Sequence, residues 1–334
     1  MAHNPKLNVY TLQLNPQDDS VQTFRDLFKC KYNEDASFSD DNIFKKYFED
    51  FVNGIGDKDF RKDSKNKKVI GKVNSSSVSV PLRPTNNACI DGVIEGGKYG
   101  IRREFADTND KSHKNIISEN NAVLDQYYIL VFTPLNSQFG FLLIQSYTEE
   151  TVQDSIKNFI RTFFSCENYF YNIKIEPYVP QKIIEKYLNA SKISMFGFTT
   201  KTSLSESLRN NIQIKGQTFE VEIKIKPLES SINPYSEEAS QIFDAISEKV
   251  FDGRQLKEGQ GKAYVIDDKK RRAHYDIERD LKENVRPTIY LEDEGVTCDE
   301  NTGIPDFKAI RKYCVDILEE IKQEFNQQTD IHEF

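Results

Sequence analysis

The chain has no tryptophan, 2 methionines and 4 histidines among its 334 residues. His3 and His332 sit near the ends, so only His113 and His274 remain for interior chemistry, and a histidine-based metal or triad site is poorly provided for. The 5 cysteines, Cys30, Cys89, Cys166, Cys298 and Cys314, are odd in number and nowhere take C-x-x-C spacing. They supply neither a disulfide framework nor a zinc knuckle, and free thiols in a reducing compartment are expected. No apolar run approaches the ~20 residues that span a bilayer. Met1–Leu7 is polar and lacks the apolar centre of a secretory signal. The expected location is cytoplasmic, with no membrane partner.

Positive charge is also in deficit. Acidic residues number 53 against 45 basic ones, for a net charge of -8. A field of that sign does not steer a whole protein onto nucleic acid, so any such binding has to come from a local basic patch. Cofactor fingerprints are missing too. The glycine-rich stretch GVIEGGKYG is not followed by a helix opening on Lys-Ser/Thr, so it matches neither a P-loop nor a dinucleotide turn. Its glycines are expected to serve tight turns, and no cofactor or metal is called for.

Against these absences stand 23 phenylalanines and 16 tyrosines. Aromatic rings bury large areas per side chain, which compensates for a hydrophobic content of 37% and makes real cores attainable. The length suits two compact units, and the pattern of elements predicts an α+β fold: two closely packed units, each a mostly antiparallel sheet with flanking helices. The expected division is 1–167 and 168–334.

Local patterns support this outline. Leu7 to Leu14 alternates as a half-buried strand does. Val21, Phe24, Leu27 and Phe28, then Ile43, Phe44, Tyr47, Phe48 and Phe51, mark two short helices, the second ended by Gly54 and Gly56. Strands are predicted over 67–73, 76–82 and 99–105, with Gly92, Gly96, Gly97 and Gly100 punctuating a hairpin. YYILVFT (127–133) and FGFLLIQ (139–145) are apolar without alternation, which implies central strands buried on both faces. Val152, Ile156, Phe159, Ile160, Phe163 and Phe164 form a helical stripe next to them, with Ser146 and Glu149 as a capping box.

Further along, 172–176, 192–200, 219–226, 262–266 and 288–291 read as strands. Helices are expected after Pro180, over 203–209, after Pro234, and from Pro305 to about Phe325. Glycines mark a loop over 253–261.

Four constellations are candidates for chemistry. In FEVEIKIK, Glu220, Glu222 and Lys224 have the acid-x-Lys spacing of a metal-dependent nuclease strand, but an upstream acidic strand end is missing. A solvated face of alternating charge is the preferred reading. Asp267, Asp268 and Lys269 repeat the spacing, with Glu248 or Asp252 as a second carboxylate, yet DDKK also makes an ordinary hairpin turn.

The third constellation is the basic run Lys269, Lys270, Arg271, Arg272 with His274 and Tyr275. It suits phosphate contact and ring stacking, although Asp276, Glu278 and Asp280 follow directly. The fourth comprises Arg102 and Arg103, and the lysine-rich stretch Lys58, Arg61, Lys62, Lys65, Lys67, Lys68 and Lys72, as weaker basic patches. The candidate nucleic-acid residues are therefore Lys269, Lys270, Arg271, Arg272, His274, Arg102 and Arg103. Cys30, Cys166 and Cys314 lie on apolar helix faces and read as core.

YYILVFTPLNSQFGFLLIQSYTEETVQDSIKNFI, KIEPYVPQKIIEKYLNASKISMFGFTTKTSLSESL and the later IKIKP resemble a class of uncharacterised prokaryotic proteins found with prophages and antiviral defence islands. The likeness covers 127–227 and carries over no catalytic residue. It implies a component of a phage–host conflict system, defence or counter-defence, acting by binding nucleic acid or a partner protein encoded nearby. A metal-dependent nuclease effector and a structural subunit of an oligomer are the alternatives.

Overall fold

The computed structural model describes residues 4–32, 39–85, 88–148, 151–203, 218–228, 232–234, 237–251, 261–276 and 286–329. The fold is α+β, with six α-helices and three sheets among the described residues, and every strand pairing between named strands is antiparallel. The chain divides into two compact units, 1–178 with 288–334, and 179–287. The single division at 167 expected from the sequence places the terminal helix in the second half. The helix instead belongs to the first unit, because its apolar stripe has a sheet face there to cover. The expected helix over 203–209 and loop over 253–261 fall, but for their end residues 203 and 261, outside the described residues.

The first unit is built on a sheet of order β10-β1-β9-β8-β5-β3-β2. These strands are Lys174–Tyr178, Lys6–Gln13, Phe139–Ser146, Val123–Phe132, Cys89–Lys98, Lys68–Lys72 and Arg61–Asp63, in that order. β4 (Arg83–Thr85) pairs with β5, and β15 (Ile289–Tyr290) with β1. Helices α1 (Phe24–Tyr32), α2 (Asp40–Gly56) and α3 (Gln153–Phe163) cover one face. Their stripes interlock through rings: Phe28 stacks on Tyr47 at 4.4 Å, and Phe51 meets Phe159 edge-on at 5.1 Å. Helix α6 (Phe307–Thr329) covers the other face, against β5 and β8. Phe325 packs edge-on to Phe141 at 5.4 Å. Ile129 and Leu142 thus face the three helices while Leu130 and Leu143 lie on the opposite face, all fully buried. Burial on both faces is why the runs at 127–133 and 139–145 lack alternation.

Several local expectations change. Residues 75–80 form turns and bends where a strand was expected, and β4 begins only at Arg83. Gly92, Gly96 and Gly97 lie inside β5 and not in a turn. A Cβ on Gly97 would fall 1.6 Å from the Val123 carbonyl oxygen, and one on Gly92 (φ +150°) 2.4 Å from Leu82 Cα, so close backbone approach is what those positions require. Ser146 belongs to β9 and accepts from Asn8 Nδ2 at 2.8 Å, while Glu149 lies outside the described residues. The turn entering α3 is instead held by Thr151, whose Oγ1 accepts from the Gln153 amide at 3.1 Å. Helix α6 opens with Asp306, which accepts from the Lys308 and Ala309 amides at 2.9 and 3.3 Å. No helix among the described residues is long and apolar enough to cross a membrane.

The second unit is a two-layer structure. Its sheet has the order β12-β11-β13-β14, that is Thr218–Ile225, Ser191–Ser203, Gly261–Asp267 and Arg272–Asp276. Helices α4 (Gln181–Asn189) and α5 (Glu237–Phe251) pack on one face. Ile184, Leu188, Ala239 and Phe243 from the helices close over Ile193, Phe196, Phe198, Ala263 and Val265. Phe198 stacks on Phe243 at 5.2 Å. Strand alternation then sends every second side chain of these four strands to the face away from the helices.

Candidate nucleic-acid interface

The register of the second sheet arranges that outer face in cross-strand rows. One row is Lys192, Ile266 and Arg272; the next is Met195, Tyr264 and His274; the third is Lys224, Gly197, Lys262 and Asp276. An aromatic row is thus bracketed by two rows that carry cations. A bulge in β11 between Ile193 and Met195 sets this alignment, and Ser194 within it bonds to the Tyr264 carbonyl at 3.0 Å.

The rings of Tyr264 and His274 stand 5.7 Å apart at 34°. Tyr264 leans over Gly197 of the neighbouring strand, where a Cβ would come within 3.0 Å of its Cε2. The ring therefore shields bare backbone on one side and has the His274 ring on the other; it is half-buried, while His274 is exposed. Lys192 and Arg272 are both exposed, and among the described residues no acidic side chain occupies their row. Acid is concentrated on β12, where Glu222 pairs with Lys224 at 3.1 Å, both groups half-exposed.

The basic run is divided by this geometry. Arg272 and His274 share the outer face. Lys269 and Lys270 are exposed in the β13–β14 turn, Lys270 in the left-handed region at φ 60°. Arg271 turns back: its amide and its Nε reach the two oxygens of Asp267 at 2.7 and 2.9 Å. With the Lys270 amide on the Asp267 carbonyl at 3.0 Å, this is a three-residue hairpin loop. Asp267 is buried and holds that turn, so it is engaged as a structural acceptor. Glu278 and Asp280 lie outside the described residues, as does Asp252.

Arg102 and Arg103 belong to the first unit, exposed at the start of β6 (Arg103–Asp107). In the lysine-rich stretch, Lys72 pairs with Asp57 at 2.8 Å and Lys67 sits 5.8 Å from the Tyr99 ring centre. Among the described residues no three His, Cys, Asp or Glu side chains converge as a metal site would need.

Two arrangements are not marked by any sequence motif. Tyr264 is the ring at the centre of the outer face, and its signal was the alternation in KAYVID. The second is a buried polar centre in the first unit. There Asp91 accepts from Thr85 Oγ1 at 2.6 Å, Tyr128 Oη at 3.0 Å and Arg311 Nε at 2.6 Å. Cys89 and Cys314 are buried in the same unit. Burial, with the Asp91 charge nearby, pushes the Cys89 thiol up to about 12 and holds Cys314 well above the ordinary thiol range. Neither forms a thiolate nucleophile near neutral pH.

A cleft in the first unit, lined by Phe60, Val69, Tyr99, Ile117, Val123 and Leu124, has Lys62 as its one charged lining residue. It brings no acid–base pair together. Compared with protein-family models and with curated proteins, the chain matches none.

Proposed function

We propose that the second unit binds single-stranded nucleic acid on the helix-free face of its sheet. The observation that carries this reading is the Met195–Tyr264–His274 row set beside the Lys192–Ile266–Arg272 row. Splayed bases stack on exposed rings, and the phosphates between them need cations on either side. A duplex hides its base faces, so these rings would have nothing to stack on, and its dense phosphate charge is not favoured by a chain of charge -8. Given the resemblance of residues 127–227 to prokaryotic conflict proteins, we read the chain as a nucleic-acid-binding component of a defence or counter-defence system.

The nuclease alternative draws less support. Its carboxylates, Glu222 and Asp267, are engaged by Lys224 and Arg271. Fluorescence anisotropy with labelled single strands of DNA and RNA, against the matched duplexes, tests the proposal. Saturable binding of a single strand with weaker duplex binding is expected. Equal binding of both forms, or none of either, contradicts it.

A further inference from the structure

The first unit carries a second, separate sheet of two strands, β6 and β7 (Asp110–Ile117). Every residue of β6 is exposed, as is all of β7 up to its last residue. Large apolar side chains stand out in water here: Ile101 is 56% exposed, Phe105 53% and Ile116 53%. A lone two-stranded ribbon is marginal in water, and a strand edge with unmatched backbone groups is a template for another strand. Among the described residues β6 pairs with β7 alone, which leaves its other edge open.

We propose that this open edge of β6 pairs with the β6 of a second copy of the chain, antiparallel, about a two-fold axis at Phe105. The order of residues along the strand, Arg103-Glu104-Phe105-Ala106-Asp107, is self-complementary. Antiparallel pairing sets Arg103 opposite the second copy's Asp107, Glu104 opposite Ala106, and Phe105 opposite Phe105. Arg103 and Phe105 share one face with Ile117, whose register partner in β6 is Arg103; Asp107, where the register shifts, holds the Asn109 amide with Oδ1 at 2.8 Å, and its second oxygen serves Arg103 of the second copy.

Charge complementarity favours a copy over an unrelated strand, since basic and acidic ends exchange only under this two-fold. Glu104 is already satisfied within its own hairpin by Lys114 at 2.9 Å. β7 lacks such symmetry, because the same operation on it would place Asp110 and Lys111 against Ile117 and Ile116. The product is a four-stranded sheet with an apolar centre. This interface stands whether or not the second unit binds nucleic acid.

Sedimentation velocity over a concentration series tests it, using the full chain and charge-reversal variants. The parent is expected to dimerise with rising concentration. Arg103→Asp and Asp107→Arg should each weaken the dimer about ten-fold or more, since each sets like charges opposite one another at two places. The double variant restores the pairing with signs exchanged and should return to the parental dimer. Matching circular dichroism melts show that the variants fold. A parent monomeric throughout, single variants as dimeric as the parent, or a double variant that stays monomeric would each overturn the proposal.

Discussion

Arg311 on the terminal helix donates through Nε to the carboxylate of Asp91 at 2.6 Å, across 220 residues of sequence. Asp91 is 1% exposed and also takes bonds from Thr85 and Tyr128. The three donors satisfy a charge that would otherwise be stranded in the core, and the Arg311 bond ties α6 to β5.

Arg311→Ala should therefore destabilise the first unit by about 3 kcal/mol, the range for removing one partner of a buried pair. Urea unfolding followed by circular dichroism measures this. A loss under about 1 kcal/mol, typical of a surface pair, would show that Arg311 is not what balances Asp91.

The first unit should also lose stability in alkali. Burial, and then the Asp154 charge, pushes the Tyr10 phenol up to about 12, and burial drives Tyr47 and Tyr128 higher. Unfolded tyrosines ionise near 10. Above that pH the unfolded chain has lost protons that the folded chain keeps, so stability falls as pH rises from 10 towards the folded values. Melting temperatures between pH 8 and pH 12 should decline beyond pH 10, with phenolate absorbance rising as the protein unfolds. A flat profile through that window would contradict the burial of these hydroxyls.

Thiol chemistry separates the cysteines. Cys89 and Cys314 are buried, with thiols held far above neutrality, whereas Cys30, Cys166 and Cys298 are partly exposed. A thiol-specific reagent at neutral pH should reach no more than those three in the native protein, and all five in denaturant. Native labelling of Cys89 or Cys314, read by peptide mass, would refute this arrangement.

Periodicity carried most of the fold. The stripe from Val152 to Phe164 and the apolar runs around Leu130 and Leu143 form the elements and burial they predict, because two-sided packing leaves that mark on composition. The division of the chain was less legible. Phe307, Ile310, Cys314 and Ile317 show that α6 has an apolar face, but not which sheet that face meets; Arg311–Asp91 decides it in three dimensions.

At the candidate interface, Arg272 and His274 were visible as charge and ring. Lys269 to Arg272 is one run in sequence, but strand alternation and the Asp267 turn send Arg271 elsewhere. Tyr264 is not legible as a site residue in the sequence, since its place comes from its register against Met195 and His274 and its ring over Gly197.

The central claim, that rings and flanking cations on one sheet face hold a single strand, is tested most directly by a salt titration of oligonucleotide affinity with two variants. Tyr264→Ala should lose about 1–3 kcal/mol of binding at every salt concentration, with an unchanged slope, as removal of a stacking ring does. Lys192→Ala with Arg272→Ala should lower the slope of log affinity against log salt by about 1.4, at roughly 0.7 per phosphate contact on a single strand. Parental affinity and slope in both variants would contradict the account.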